Sequence, residues 1–301
     1  MGKVHRNIKI LVTGASGFLG SHMMHFLGEK GYSVFTSMGD LRSYNTALQE
    51  TKGMDWVFHF AADMGGIGYF SKENYRPPIN NLTIDLNVLR ACEQNGIKRL
   101  FYPSSACAYP LGKMNQGVPL FEEMLDLPAV PDQMYGWEKL TMTKLLRGSK
   151  IARVGILHTI YGEGQEYEGR KAKFPPQMAY KVLRAKKTGK LEVWGDGRQT
   201  RTFLYVSDAI EKIYEVMSRP YHGEVNIGSD LECSIMDVVG ICSKILNINK
   251  IDIEFNSNKP TGPTRRRCDN TKFNTHYKYR DKVSLEQGFE RLINYIQSYE
   301  R

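Results

Sequence analysis

A doubly wound α/β (Rossmann) fold, with a parallel sheet and a smaller C-terminal substrate-binding lobe, is what this sequence predicts. Three observations predict it. Short β-branched or aromatic runs alternate with longer helical stretches through the first half. A turn with regularly spaced glycines joins the first of these runs to the first helix. After about Tyr161 the alternation gives way to glycine-rich, charged and mixed segments.

The elements follow in order. Lys9 to Thr13 reads as the first strand and Leu19 to Lys30 as a helix, with Leu19, Met23, Phe26 and Leu27 on one face. Ser33 to Ser37 is a strand, Tyr44 to Thr51 a short helix and Trp56 to Ala61 a strand. Asn81 to Asn95 and Pro131 to Leu146 carry helices; Arg99 to Ser104 and Ala152 to Ile156 are strands. This order predicts a parallel, doubly wound sheet. Gly162 to Lys173 has no apolar period and reads as a loop. Pro175 to Ala185, Val206 to Met217, Ser234 to Leu246 and Ser284 to Tyr299 are helices, and Ile251 to Phe255 is a short strand. The expected division is a dinucleotide-binding domain over 1–160 and a sugar-nucleotide-binding lobe over 161–301, some of whose elements return to the first domain.

Composition narrows the class. The chain has 301 residues, 41% hydrophobic and 24% charged, the balance of an ordinary soluble enzyme. No window is long and apolar enough to span a bilayer, and the basic N-terminus runs into a strand without a signal-peptide core, so no membrane partner and a cytoplasmic location are expected. Five scattered cysteines without a CxxC pair argue against a disulfide framework or a structural metal, so no metal is expected. The net charge of +9 gathers at Lys181 to Lys190 and Arg265 to Arg267. It is either a solvated face or a field for an anion such as a nucleotide diphosphate. No zinc finger, RNP or helix-turn-helix signature accompanies it, so no nucleic acid is expected.

The turn reads Thr13-Gly14-Ala15-Ser16-Gly17-Phe18-Leu19-Gly20. The first glycine permits the tight turn, the second lets backbone approach a pyrophosphate, and the third lets helix pack on strand. The helix start then offers free N–H groups and a positive dipole end to phosphates. The acidic ribose anchor common at the end of the second strand is absent, and Asp40-Leu41-Arg42 follows instead. Asp40 can take the ribose hydroxyls and Arg42 can take a 2′-phosphate. NAD is preferred and NADP stays open.

Tyr135 and Lys139 stand at i and i+4 on one helix face. A nearby ammonium lowers a phenol's pKa, and the phenolate can take a hydroxyl proton as hydride leaves carbon. Ser104 and Ser105, at the end of a parallel strand, can hydrogen-bond the same hydroxyl.

With these motifs the chain resembles the extended short-chain dehydrogenase/reductase family. Four segments narrow the likeness: Ala61-Ala62-Asp63-Met64-Gly65-Gly66, Ser104 to Pro110, Tyr135 to Lys139, and Trp194 to Phe203. They resemble the NAD-dependent sugar-nucleotide epimerases of the GDP-mannose 3,5-epimerase type, with GDP-fucose synthase as a close relative. The resemblance implies transient oxidation of the sugar at C4, loss and return of protons at C3 and C5, and re-reduction. It assigns Tyr135, Lys139 and Ser105 to the redox step, and Cys107 and Lys173 to proton transfer, with Lys171 as the alternative lysine. Gly14, Ser16, Gly17, Phe18, Leu19, Gly20, Asp40, Leu41, Ala61 and Ala62 would hold the cofactor. Met64, Gly65, Ala106, Thr159, Gln199, Thr200, Arg201 and Arg266 would join Ser105, Cys107 and Lys173 around the sugar nucleotide, with both arginines on the diphosphate. A homodimer is a further expectation from resemblance.

Residue chemistry agrees: a tuned thiol and a partly desolvated lysine are both able acid–bases. Against these stand plainer readings, of Cys107 as core filler, Lys173 as a solvated loop residue and His158 as a hydrogen-bonded structural residue. Three departures put the exact sugar in question. The segment before Asp40 is short, Thr159 stands where the family has asparagine, and the stretch from Lys139 to Arg153 is short. The competing functions are an NADPH-consuming reductase or epimerase-reductase, and a non-catalytic dinucleotide sensor. The missing loop histidine argues against the first, and the intact tyrosine, lysine and serines argue against the second. A 4,6-dehydratase is disfavoured because Ala106-Cys107 replaces the acidic pair that would follow the serine.

Overall fold

The computed structural model describes residues 8–73, 75–128 and 130–300. The first half runs Lys9–Thr13 (β1), Phe18–Glu29 (α1), Ser33–Thr36 (β2), Tyr44–Thr51 (α2), Trp56–His59 (β3), Ile67–Phe70 (α3), Arg76–Gln94 (α4), Arg99–Ser105 (β4), Leu111–Asn115 (α5), Gln133–Leu146 (α6) and Ala152–Leu157 (β5). The second half runs Thr159–Tyr161 (β6), Phe174–Thr188 (α7), Lys190–Trp194 (β7), Thr200–Tyr205 (β8), Val206–Ser218 (α8), Val225–Ile227 (β9), Glu232–Ser234 (β10), Ile235–Ile245 (α9), Asp252–Asn256 (β11), Arg265–Arg266 (β12), Thr271–His276 (α10) and Leu285–Tyr299 (α11). None of the described helices is long and apolar enough to cross a membrane.

The main sheet has the order β2-β1-β3-β4-β5-β9, and every pairing in it is parallel. Its centre is apolar on both faces because strand residues alternate between two helical layers. Ile10 and Val12 of β1 pack with Met23 and Leu27 of α1 and Ile210 and Ile213 of α8. Leu11 points the other way, with Val57 of β3, Ala47 of α2 and Val88 and Ala91 of α4. Each such valine, leucine, isoleucine or methionine, fully buried, contributes about 1.5–3 kcal/mol. The chain leaves β1 toward β2 and later returns to β3 on the opposite side. That reversal opens a crevice at the carboxyl ends of β1 and β3.

The second half builds a sheet of order β10-β8-β12 with β6 also on β8, and a parallel β7–β11 pair. It also returns to the first sheet: β9 extends it beside β5, and α8 packs on α1, β4 and β5. Two helix starts move by more than one residue from the sequence expectation. Helix α4 starts at Arg76, ahead of Asn81, because Pro77 and Pro78 occupy its first turn, where a missing N–H costs nothing. Helix α6 starts at Gln133, after Pro131, with Asp132 at its N-cap. The six strands β6, β7, β8, β9, β10 and β12 were not anticipated.

Candidate active site

The crevice deepens into a cavity of about 800 Å³. Its walls are the carboxyl ends of β1, β4 and β5, the 62–72 segment, the start of α7 and the 259–266 segment. The glycine turn forms one end. Gly14 has φ +65°, and a Cβ there would lie 2.7 Å from the Ala61 nitrogen. A Cβ on Gly20 would lie 2.1 Å from the Gly14 carbonyl oxygen, so α1 crosses β1 closer than a side chain allows. Gly17 caps α1 without a side-chain hydrogen bond, leaving the first-turn N–H groups open to an anion. This cradle fits a pyrophosphate. Gly20→Ala is expected to lower stability by about 1–3 kcal/mol, because the clash is with backbone and cannot relax by rotamer change. A chemical-denaturation midpoint equal to that of the wild type would contradict this packing.

Gly14, Gly17, Phe18, Leu19, Gly20 and Ala62 line the cavity. Four of the expected cofactor residues do not. Ser16 is exposed outside it, and Ala61 lies behind the turn, its N–H donated to Thr13 Oγ1. Leu41 is buried in the core beside Ala47. The Asp40 carboxylate is held bidentate by the Arg42 guanidinium at 2.7–3.0 Å, which keeps it down at about 2. Both members of that pair are exposed.

Helix α6 brings Tyr135 and Lys139 to the cavity wall together. The Tyr135 ring stacks on Phe70 at 4.7 Å, and the Lys139 ammonium lies 5.8 Å from the Tyr135 ring centre. Burial pushes the phenol up, with Lys139 and a hydrogen bond from Ser105 pulling it back. The expected lowering is therefore present as one contribution but is outweighed by desolvation. The two serines separate. Ser104 Oγ is buried against Thr143 Oγ1 at 2.6 Å, although its residue borders the cavity, and Ser105 is the half-buried one. Ser105 Oγ also accepts the Cys107 N–H.

Behind Lys139 lies a buried polar cluster. Its ammonium is 2.9 Å from Glu138 Oε1, 4.0 Å from Asp85 Oδ2, and donates to Tyr102 Oη at 3.1 Å. Tyr102 in turn donates to Asp85, whose other oxygen meets His59 at 3.0 Å. Burial pulls the Lys139 ammonium down, but Tyr102, Glu138 and Asp85 together hold it well above the ordinary lysine value. Burial pushes Asp85 up, and Lys139 and His59 overcome that and hold it low. For Glu138, burial prevails and the carboxyl is raised. Sequence reading missed Glu138, Asp85 and His59.

Cys107 is half-buried, free, and lines the cavity on a 3-10 turn after β4. Burial raises its thiol, with the Arg266 guanidinium drawing it back. Lys173 lines the cavity from the N-cap of α7. Burial lowers its ammonium, with Cys107 opposing and Lys139 adding to the fall. Lys171 does not face the cavity; it is exposed and paired with Asp63 at 2.9 Å. Met64, Gly65, Thr159, Gln199 and Arg201 also line the cavity. Ala106 is core, and the Thr200 hydroxyl is taken up by Glu232. Arg201 donates to the Thr200 and Thr261 carbonyls, and burial with the nearby Arg266 brings its guanidinium down to about 9. Arg266 is bonded to Asp132 Oδ2 at 2.6 Å, an ion pair that joins the basic segment to the cap of α6. His158 borders the cavity but donates through Nε2–H to Asn226 Oδ1 at 3.1 Å, and burial brings it down to about 3.

A pyrophosphate cradle at a switch point, with tyrosine and lysine on one helix face beside it, defines a Rossmann-fold protein of the short-chain dehydrogenase/reductase kind. The chain belongs to the NAD dependent epimerase/dehydratase family, whose profile matches residues 10–228. GDP-mannose 3,5-epimerase 1 of Oryza sativa subsp. japonica is 32% identical over 93% of this chain and 79% of its own length. GDP-L-colitose synthase of Yersinia pseudotuberculosis is 26% identical over 96% of this chain and 98% of its own length. The UDP-glucose 4-epimerase of Thermotoga maritima shares the fold with a TM-score of 0.87 at 22% identity, covering 98% of this chain and all of that one.

Proposed function

We propose that the protein is a sugar-nucleotide 3,5-epimerase of the GDP-mannose type, working with resident NAD as a homodimer. The observation that carries the reading is that Cys107 and Lys173 reach one cavity from two different walls, next to Tyr135 and Ser105. The likeness to a GDP-mannose 3,5-epimerase over most of the chain supports the substrate class. Gly14, Gly17 and the first turn of α1 would hold the pyrophosphate of the dinucleotide, and Lys139 with Tyr135 would border its nicotinamide end. Bound there, the nicotinamide supplies reversible two-electron oxidation of a sugar carbinol.

The chain's own residues do the rest. Tyr135, with Ser105 beside it, exchanges the proton of the C4 hydroxyl. A ketone at C4 acidifies the hydrogens at C3 and C5. Lys173, whose ammonium burial disfavours, removes a proton from one face, and Cys107, a thiol at rest, returns one from the other. At the second carbon the two exchange roles. Arg201 and Arg266 bring positive charge to the diphosphate, which they would bind through charge-assisted hydrogen bonds.

Two measurements test this. Mass spectrometry of the purified protein is expected to find NAD bound near full occupancy. Incubation with GDP-mannose in deuterated water is expected to place deuterium at C3 and C5 without accumulating NADH. If a panel of GDP-, UDP- and dTDP-sugars gave neither exchange nor turnover, the reading would be abandoned. The Asp40–Arg42 pair favours one second reading, an NADPH-consuming reductase or epimerase-reductase, since Arg42 released from Asp40 can hold a 2′-phosphate. Stoichiometric NADPH consumption would select it.

A further inference from the structure

We propose that Lys171 is a positioning residue: it clasps Asp63 behind the cavity wall and so holds Lys173, two residues further on, against the reacting sugar. This rests on the role proposed above for Lys173. The loop that carries Lys173 needs such a hold. It contains no helix or strand from Gly162 to Lys173, and Gly164 and Gly169 sit at φ +83° and +88°, the left-handed region that glycine enters without strain. A loop of this kind has many conformations of similar energy, and Lys173 projects usefully in few of them.

The first part of the loop is held by His22, Tyr205 and Glu300, but the contacts of Arg170 and Lys171, next to Lys173, run to the 63–73 segment. Lys171 Nζ donates to Asp63 Oδ1 at 2.9 Å, and Tyr69 Oη donates to the same oxygen at 2.9 Å. Arg170 and Lys171 each lie 5.0 Å from the Tyr69 ring centre, and Arg170 pairs with Glu73 at 3.2 Å. The backbone joins in: Gly66 N–H donates to the Lys171 carbonyl at 3.1 Å, and a Cβ on Gly66 would lie 2.4 Å from the Ala172 carbonyl oxygen.

Asp63 is the fixed half of the clasp. Its N–H donates to Asn81 Oδ1 at 2.6 Å, and Asn81 Nδ2 donates to the Asp63 carbonyl and to Glu138 Oε2, at 3.2 and 3.0 Å. Asn81 is fully buried, and Glu138 is the neighbour of Lys139 on α6. A continuous set of hydrogen bonds thus runs from the tyrosine–lysine helix to the loop of Lys173. The pair itself is partly exposed, and such a pair contributes little to global stability. Its effect lies in placement, where an ångström of displacement is costly to catalysis.

The test compares Lys171→Met, Lys171→Arg and Lys173→Met. With GDP-mannose in deuterated water, Lys173→Met is expected to stop exchange at one carbon. Lys171→Met is expected to slow exchange about tenfold at that same carbon, to leave the other within about twofold, and to act on kcat more than on KM. Lys171→Arg is expected to restore most of the rate. Hydrogen-exchange mass spectrometry supplies a readout that needs no substrate: Lys171→Met should speed amide exchange over 166–173 while α6 is unchanged. Unchanged amide exchange there overturns the clasp whatever the substrate proves to be. Equal slowing at both carbons, or loss with Lys171→Met while Lys173→Met stays active, overturns it too. Absence of carbon exchange in the wild type, with the amide effect intact, would instead reject the epimerase reading and keep the clasp.

Discussion

Cys107→Ala is expected to abolish inversion at both carbons while C4 oxidation survives. Deuterium exchange should disappear at the carbon whose proton the thiol removes, and persist at the carbon served by Lys173. The loss should be about 10²–10⁴-fold, the usual contribution of one positioned acid–base group. The selectivity follows from where the side chain sits. Cys107 lies on a 3-10 turn whose backbone is fixed from outside the thiol: its N–H is accepted by Ser105 Oγ and its carbonyl accepts the Asp132 N–H. Removing Sγ leaves those bonds, the Arg266–Asp132 pair and the stack of Tyr135 on Phe70 in place. Tyr135 and Lys139 therefore keep their geometry, and the melting temperature should match that of the wild type. Lys173→Met should stop exchange at the carbon that Lys173 deprotonates. Isotope patterns by NMR, read beside nicotinamide absorbance during a single turnover, separate the steps. Equal loss of oxidation and exchange in Cys107→Ala would remove the proton-transfer role from this thiol.

What was legible in the sequence depended on how local the cause was. The β1–turn–α1 unit could be read because each glycine answers to a contact within a few dozen residues: Gly20 on Gly14, and Gly14 on the end of β3. The buried strands β1, β3, β4 and β5 could be read because they are largely continuous apolar runs. Strand β7, Lys190–Trp194, was missed although Leu191 and Val193 alternate with polar residues, because it follows directly on the lysine-rich end of α7. Strand β12 is two arginines, a pairing that no propensity signals.

The site divides in the same way. The tyrosine–lysine spacing, Cys107 and the glycine turn are local patterns, and the structure brings them to one cavity. Lys171 and Lys173 could not be separated, since a loop without period gives no inside or outside. Arg266 looked like a diphosphate ligand alone, because its partner Asp132 is 134 residues away in the chain. Glu138 and Asp85 were invisible for a related reason. A carboxylate on a helix is ordinarily solvated, and only the assembled fold closes α4, β4 and α6 around these two and Lys139.

That buried cluster makes Lys139→Met the substitution with the largest expected effect on stability, about 3–5 kcal/mol, read as a lower denaturation midpoint. The lysine, Glu138 and Asp85 are each at most 3% exposed. Deleting the ammonium leaves two carboxyls facing each other's charge in surroundings that cannot hydrate them. The loss has a pH signature. Without Lys139, the already raised Glu138 is pushed further above its ordinary 4.5, and Asp85, ordinarily near 3.8, loses the largest contribution that holds it low. Groups raised in this way support the fold fully below the unfolded values and withdraw that support as pH rises through the folded ones. The gap to the wild type should therefore narrow in acid and widen from about pH 4 toward pH 7. Glu138→Gln added to Lys139→Met removes one of the stranded charges, keeps the acceptor for Asn81, and should recover part of the loss at neutral pH while changing little in acid. A gap that stayed constant with pH would mean that the lysine stabilises by packing, and that its two carboxyl neighbours carry no charge for it to hold.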